Sequence, residues 1–261
     1  MLSKLLKNDL KKNMRWMWIL FVSTIAIASI TRASKELGEN IAFFKVIGIF
    51  FDSVFYALAV NVILQPFLRN FLNFTKSFYS DESYLTHTLP VTKNQLINSK
   101  YLTALIEIVA GFICLVLSII IMFAGPNTLN VIKLLISTIV TGKISTLLVI
   151  ILFVTLVIIE FLMFISIIYF SIVMAYKSKE KRILKTFLIA AGCSFASLGV
   201  LSIFMIIMLS INGIKLTSTT LILSNTAFIS IILTGIVIYS AISILFYFLT
   251  KKEFNKGVNI D

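Results

Sequence analysis

Three carboxylates lie inside long apolar stretches of this sequence, where an ionised side chain is costly. Asp52, Glu107 and Glu160 each fall within a run that is otherwise nearly free of charge. An ionisable group at membrane depth costs about 2.5–3.5 kcal/mol to insert, so it normally faces protein or water. These carboxyls either line a translocation path or cation-attracting cavity, or are protonated or hydrogen-bonded between packed helices. For Glu107 we favour the second interpretation; for Asp52 and Glu160 both stay open.

The other residue types that could do chemistry are few. His87 is the only histidine, which excludes a multi-histidine metal centre, and Cys114 and Cys193 lie in apolar runs, as small packing residues do. A phosphate-binding loop needs the pattern G-x-x-x-x-G-K-[ST]. Gly142-Lys143 lacks both the first glycine and the final hydroxyl of that pattern. We therefore predict that the chain is not an enzyme, and that it holds no catalytic residue, cofactor or metal of its own.

The composition indicates that these residues belong to a membrane protein. Of the 261 residues, 59% are hydrophobic and 13% are charged, against roughly 45–50% and ~25% in soluble domains. A soluble domain cannot bury so much apolar surface, and a disordered chain does not contain it. The net charge of +12 fits loops that face anionic lipid headgroups better than it fits binding of nucleic acid. We predict an all-α integral membrane protein with membrane lipids, and no nucleic acid, among its partners.

Six apolar stretches are long enough to organise the whole chain. Because runs of about 17–25 apolar residues are candidates to cross a bilayer, we predict one membrane domain over residues 1–261 with six transmembrane helices. Their predicted bounds are residues 16–31, 41–68, 101–124, 145–176, 186–210 and 227–250. Residues 128–141 are apolar but too short to cross, and their polar positions predict a surface or re-entrant helix.

The distribution of lysine and arginine predicts the orientation of these spans. An even number of spans places both termini on one side of the membrane. Seventeen of the 23 lysines and arginines fall on the side of the termini, and six fall on the other side. Since cytoplasmic loops carry the excess of positive charge, we predict that both termini are cytoplasmic.

Residues 1–15 place leucines among lysines ahead of the first span. This pattern is typical of an amphipathic helix that lies on the inner leaflet, and a disordered basic tail is the alternative. The basic start, the apolar run and Ala26-Ile27-Ala28 also resemble a signal peptide. We expect the segment to remain in the protein as an amphipathic N-terminal helix.

The long polar interruption at residues 69–100 carries several helix signals. Phenylalanines spaced three or four residues apart over residues 67–78 predict that the second span continues as a helix. Residues 80–82 can begin a short helix, which Pro90 limits to about two turns. Thr92 and Gln95 have the spacing of a capping box for a helix that runs into the third span. The apolar side chains near the tip either fold back onto the membrane or dock a soluble partner.

Residues 78–92, with the sequence FYSDESYLTHTLPVT, and the Ser99-Lys100 pair that follows resemble a segment of ABC-2 type permeases from Gram-positive bacteria. The chain length, the six spans and the basic amphipathic N-terminus are similar to those of the family as well. Ser83 stands where the family usually has glycine. The resemblance implies an exporter subunit in the bacterial plasma membrane, with an N-terminal elbow helix and a cytoplasmic coupling helix between spans two and three.

The resemblance also implies partners and a cargo. The partners are an ABC ATPase subunit, which would bind ATP and Mg²⁺, and a second permease, either another copy or a related chain. The cargo is amphipathic or hydrophobic, for example toxin peptides such as phenol-soluble modulins, or antimicrobial peptides. The coupling-helix residues expected to contact the ATPase are Asp81, Glu82, Tyr84, Leu85, Thr86, His87, Leu89 and Pro90, and those expected along a path are Asp52, Glu107 and Glu160.

Two functions of other classes remain as alternatives. The first is an ion- or proton-coupled secondary transporter that uses intramembrane carboxylates, chiefly Glu160 and Asp52. The second is a membrane subunit that transports nothing and acts as a sensor or immunity protein.

Overall fold

The computed structural model describes residues 2–38, 41–80, 82–88, 90–123, 146–178, 180–211 and 225–256. Within these ranges the regular structure is entirely helical. Six of the helices are long and apolar enough to cross a membrane, which makes the chain a multi-pass membrane protein. The helix predicted at residues 128–141 lies outside the described ranges.

The described residues form seven helices. Six of them are about 30 residues or longer, and the third is a single short piece. In chain order they are α1 (Leu2–Gly38), α2 (Ala42–Tyr79), α3 (Ser83–Thr88), α4 (Lys93–Phe123), α5 (Thr146–Ala175), α6 (Arg182–Ile211) and α7 (Asn225–Asn255).

The N-terminal segment differs from the separate elbow helix that the sequence predicts. Helix α1 runs without a break from Leu2 to Gly38, about 55 Å at 1.5 Å per residue. It contains neither proline nor an internal glycine that could end a helix at the edge of the apolar run. Residues 2–15 are therefore the first turns of α1, and two of their polar side chains, Asp9 and Asn13, contact neighbouring helices.

The helical signals around the polar loop are confirmed. Helix α2 continues to Tyr79, and α3 is a short helix of six residues. The backbone N–H of Gln95 donates to Oγ1 of Thr92 over 3.3 Å, and the N–H of Thr92 donates to Oε1 of Gln95 over 3.2 Å. This reciprocal pair is the capping box, and it fixes where α4 begins.

The helices gather into two compact units, which we describe separately. The α1–α2–α4 unit contains α1, α2 up to Ser77, residues 84–88 of α3, and α4. The α5–α7 unit contains the described residues of segment 78–83 together with α5, α6 and α7. In the first unit α1 packs most extensively against α4, and in the second α5 packs most extensively against α7. That the chain forms one membrane domain remains a prediction from the sequence.

Helices α1 and α2 approach closely where they are joined. A Cβ atom at Gly38 would lie 2.9 Å from the backbone nitrogen of Lys45. Farther along the pair, Gly48 faces the backbone and side chain of Lys35 at ordinary contact distance. The absence of a side chain at Gly38 thus allows the two backbones to meet, and this sets which residues of α1 and α2 lie opposite each other.

Candidate functional site

Glu107 lies at the centre of a buried polar cluster in the α1–α2–α4 unit. Its side chain is on α4 and the residue is 0% exposed. The Nδ2 atom of Asn13 donates to Oε1 over 2.5 Å, and Nδ2 of Asn70 donates to Oε2 over 2.7 Å. Each oxygen of the carboxylate therefore accepts an amide from a different neighbouring helix. Glu107 is hydrogen-bonded between packed helices, as in the second interpretation of the sequence.

The amides of this cluster are themselves held in place. The side chain of Asn73 donates to Oδ1 of Asn13. Asn70 also donates to the backbone carbonyl of Pro66 over 2.7 Å. Proline has no N–H, so the carbonyl of Val62 loses its usual partner one turn earlier in α2. A Cβ at Gly111 of α4 would lie 3.5 Å from that carbonyl oxygen, so α4 packs directly over the interrupted turn.

A second charged group connects the end of α2 to the start of α4. The ammonium of Lys100 lies 2.8 Å from Oδ1 of Asp9 and 3.0 Å from Oγ of Ser77. Ser99 donates to the other oxygen of Asp9 over 3.1 Å. The side chains of Lys100 and Asp9 are only 9% and 18% exposed, so the ion pair is largely shielded from solvent. We call these groups and those around Glu107 the polar cluster: Asp9, Asn13, Asn70, Asn73, Ser77, Ser99, Lys100 and Glu107.

Arg69 lies beside this cluster on α2. Its guanidinium carbon is 5.7 Å from the centre of the Trp16 ring, a cation–π contact with α1. Its Nε atom is buried and has no hydrogen-bond acceptor among the residues that the structure describes. Arg69 thus adds a positive charge whose main contact is an aromatic face.

Asp52 occupies a different part of the same unit. Its Oδ1 lies 2.8 Å from the ammonium of Lys35, and the pair lines a cavity of about 410 Å³ together with Lys45. The structure thus pairs Asp52 with Lys35 of α1. Asp52 precedes Asn70 by 18 residues on α2, or about 27 Å along the helix. The structure therefore does not bring Asp52 to Glu107.

Glu160 belongs to the α5–α7 unit. It is half-buried on α5 and is hydrogen-bonded to Tyr239 of α7. Tyr239 packs with Met163 and Ile167 in the apolar core of that unit. Each of the three intramembrane carboxylates thus has its own partner within its own unit.

The short helix α3 presents a side chain to solvent. Tyr84 is 75% exposed, whereas Ser83 is buried and its N–H donates to the carbonyl of Ser80 over 2.7 Å. Among the other residues expected to contact an ATPase, Pro90 is exposed and Glu82 is half-buried. The side chains of Asp81, Leu85, Thr86, His87 and Leu89 lie outside the described part of the chain.

Most members of the polar cluster are not predicted from the sequence. Its members recur at helical spacing, since Asp9 and Asn13 are four residues apart on α1. On α2 the polar positions 70, 73 and 77 are three and four apart, and on α4 positions 99, 103 and 107 are four apart. Three polar stripes next to apolar runs were the available signal, because such groups need partners on neighbouring helices.

Comparison with protein-family models, with curated proteins and with solved structures finds no match to this chain. Among the described residues no three metal-ligating side chains converge, and the carboxylates Asp9 and Asp52 are each paired with a lysine. What the polar cluster can do is fix three helices against one another next to the connection that contains α3.

Proposed function

We propose that this chain is the transmembrane permease subunit of an ATP-driven ABC exporter, with α3 as the contact for a separate ATPase subunit. The observation that supports it best is an exposed tyrosine, Tyr84, on a short helix between two helices of span length. An isolated aromatic side chain on a short polar connection is suited to a partner surface. The similarity of residues 78–92 to ABC-2 permeases supports the same assignment.

The polar cluster gives α3 a mechanical connection to the spans. Lys100 joins Ser77, near the end of α2, to the first turns of α4, and Asp9 joins both to α1. A partner that displaces α3 therefore pulls on helices that are hydrogen-bonded together at that point. Movement of an ATPase would reach α1, α2 and α4 as one body, which is what an ATP-driven conformational change requires.

The remaining parts of the proposal follow from this role. The chain lies in the bacterial plasma membrane with both termini cytoplasmic, so that α3 faces the cytoplasm where ATP is available. ATP and Mg²⁺ are bound by the partner subunit, and a second permease copy or a related permease completes the exporter. The cargo is amphipathic or hydrophobic, with toxin or antimicrobial peptides as the leading class, because the spans are lined mainly by aliphatic and aromatic side chains.

Co-purification tests the proposal directly. The tagged full chain is purified from membranes of its own cells, and ATPase activity and ATPase subunits in the eluate are measured for the wild type and for Tyr84→Ala/Leu85→Ala. Anchoring side chains at an interface contribute ~2 kcal/mol or more each, so the double variant should lose at least about thirtyfold in ATPase association. Phe195→Ala is the matched control, because Phe195 on α6 is also an aromatic that is 75% exposed.

An ATPase that co-purifies with the wild type and the control but not with the double variant supports the proposal. Retention of the ATPase and of transport by the double variant would show that α3 is a passive connection. Transport that persists without any ATPase and follows an ion gradient would favour the alternative, an ion- or proton-coupled transporter. For that alternative the cavity lined by Asp52 is the observation of interest.

A further inference from the structure

Helix α2 turns one face away from the rest of its unit, and that face follows a heptad repeat. On the inner side, Phe55 and Val62 are buried and pack in the cores of the α1–α2–α4 unit. The residues on the opposite side recur at alternating spacings of three and four, and each is exposed: Phe43, Val46, Phe50, Ser53, Ala57, Val60 and Leu64. We call these seven residues the α2 seam. A repeat of this period is what two α-helices need to pack along their length.

Two polar side chains flank the α2 seam at membrane depth. Tyr56 is 54% exposed, and its hydroxyl makes no hydrogen bond to a described residue. Asn61 is also exposed, and its Nδ2 donates to the carbonyl of Ala57 over 2.9 Å. Its Oδ1 accepts no hydrogen bond from the described part of the chain. Both residues lie near the middle of the stretch 45–69, where hydrocarbon offers no hydrogen-bond partner.

The exposed face of α6 differs from the α2 seam and suits lipid better. Its exposed polar side chains are Ser202 and Ser210, and each donates to a carbonyl of its own helix. A serine hydroxyl is satisfied in this way. The side-chain carbonyl of Asn61 is not, because it needs a donor and the backbone N–H groups around it are used within α2.

A second copy of the chain supplies the missing partners. Two copies inserted in one membrane have the same orientation, so a two-fold axis along the bilayer normal pairs their α2 helices in parallel. In a parallel pair joined at heptad positions a and d, a residue at g lies beside the e residue of the partner's next heptad. With Ala57 at a and Val60 at d, Tyr56 falls at the preceding g and Asn61 at e. The hydroxyl of Tyr56 in each copy can therefore donate to Oδ1 of Asn61 in the other.

The middle of the α2 seam allows the two helices to approach closely. Ser53 and Ala57, four residues apart, are its smallest side chains, and small residues at this spacing let helix backbones meet within a membrane. The hydroxyl of Ser53 already donates to the carbonyl of Ile49 over 3.2 Å, so it needs no partner across the pair. The close approach lies at the level of Tyr56, which brings the polar flanks of the two helices within reach of each other.

From these observations we infer that the α2 seam is a homodimer interface, in which Tyr56 of each copy donates to Asn61 of the other. Lipid tails would cover the apolar part of the seam but would leave both polar groups without a partner. The proposed function leaves open whether the second permease is another copy or a related chain. The inference selects another copy and requires no ATPase, so the exporter assignment and the interface can fail separately.

Energy transfer between copies in lipid vesicles tests the interface. The full chain, labelled at a terminal tag with a donor or an acceptor, is mixed and then diluted with phosphatidylglycerol and phosphatidylethanolamine, and the transfer gives the association constant. Because the two-fold axis repeats the contact, Tyr56→Phe should weaken association about tenfold, and Asn61→Leu by a similar factor. The double variant Tyr56→Phe/Asn61→Leu should associate about as well as either single variant, because both changes remove the same two hydrogen bonds.

Ala57→Leu and Ala196→Leu form a matched pair. Each adds the same bulk at an exposed alanine, the first in the α2 seam and the second on α6. Ala57→Leu should weaken association about thirtyfold, and Ala196→Leu should leave it unchanged. Thermal unfolding of each variant in detergent checks that the fold persists. If Ala57→Leu unfolds, Tyr56→Phe decides, because it removes only one oxygen atom from an exposed side chain.

Four results would each overturn the inference. They are a wild type that does not self-associate, unchanged association in Tyr56→Phe, losses that add in the double variant, and an equal loss in Ala196→Leu. Unchanged association together with impaired transport in Asn61→Leu would overturn it as well, because Asn61 would then line a path.

Discussion

The two units of this protein differ in what fills their interiors. In the α1–α2–α4 unit, Glu107 is buried and accepts two amides, and Lys100 and Asp9 form a shielded ion pair. In the α5–α7 unit the core consists of apolar side chains such as Met163 and Ile167. Its polar contacts between elements involve half-buried or more exposed charged groups, Glu160 with Tyr239 and Lys177 with Glu253, or neutral hydroxyls, as in Ser166 to Ser243 at 3.1 Å.

This difference shows how each unit is specified. Hydrogen bonds and ion pairs in apolar surroundings are directional, and they are costly to leave unmade. Apolar contacts are non-directional, so helices joined by them alone tolerate small shifts more readily. The α1–α2–α4 unit therefore has one favoured arrangement, whereas the α5–α7 unit is held mainly by the fit of its side chains. The α1–α2–α4 unit, which has this single favoured arrangement, also contains α2 and α4, the helices on either side of α3.

The sharpest way to break this contrast is to remove one member of the shielded ion pair. Lys100→Met leaves Asp9 without its cation and Ser77 without its donor. Removing one partner of a buried pair costs about 3–5 kcal/mol, and we expect about 3 kcal/mol here because Asp9 keeps some exposure. The unfolding temperature in detergent should fall by about 6–12 °C.

The matched control is Lys177→Met in the α5–α7 unit, which removes the same charge from the ion pair of Lys177 with Glu253. Lys177 is half-exposed, and Glu253 keeps Lys256 as a second partner at 2.7 Å. The unfolding temperature should therefore change far less than in Lys100→Met. Equal losses in the two variants would show that the units do not differ in the way we describe.

A second test compares the two membrane-embedded glutamates. Glu107→Ala removes the acceptor of Asn13 and one of the two acceptors of Asn70, which keeps the carbonyl of Pro66, whereas Glu160→Ala deprives only Tyr239. A buried polar group that loses its partner costs about 1–3 kcal/mol. We expect Glu107→Ala to lower the unfolding temperature by about 4–8 °C, and Glu160→Ala by about half as much. If Glu160→Ala were the more damaging, the α5–α7 unit would depend on its polar contact after all.

Much of the fold is readable from local sequence. Apolar runs predict six helices of span length, and the spacing of Thr92 and Gln95 predicts the capping box at the start of α4. These features are determined within a few residues, so that hydropathy and helix-capping chemistry suffice. The separate N-terminal helix that the sequence predicts is not seen. Hydropathy changes near Trp16, but no proline or internal glycine ends the helix there, so α1 is continuous.

The candidate site was harder to predict because its partners are distant in sequence. Asn13 and Glu107 are 94 residues apart, and nothing local to either one identifies the other. The ion pair of Lys35 with Asp52 joins residues that are nearer in sequence than Asn13 and Glu107. Once Gly38 sets α1 against α2, Lys35 lies opposite Gly48, and its long side chain reaches Asp52 one turn farther along. That register depends on a backbone contact which residue spacing alone does not show.

Substitutions of glycine test the difference between the units with the smallest expected change in stability. A Cβ at Gly192 or Gly199 of α6 would meet no described atom within 4 Å. At Gly38 a Cβ would lie 2.9 Å from the backbone of Lys45, and backbone cannot swing aside as a side chain can.

Substitution by alanine should therefore have opposite signs at the two places. Gly38→Ala forces α1 and α2 apart at a cost of about 1–3 kcal/mol, partly offset by the helix propensity of alanine, which is ~1 kcal/mol better than that of glycine. Gly199→Ala gains the propensity without the clash, so its unfolding temperature should stay level or rise slightly. The separation of the two helices, measured as the distance between spin labels at the exposed positions Leu37 and Val46, should widen only in Gly38→Ala. A wider separation in neither variant would mean that the register of α1 and α2 is held by the Lys35–Asp52 pair rather than by the glycine contact.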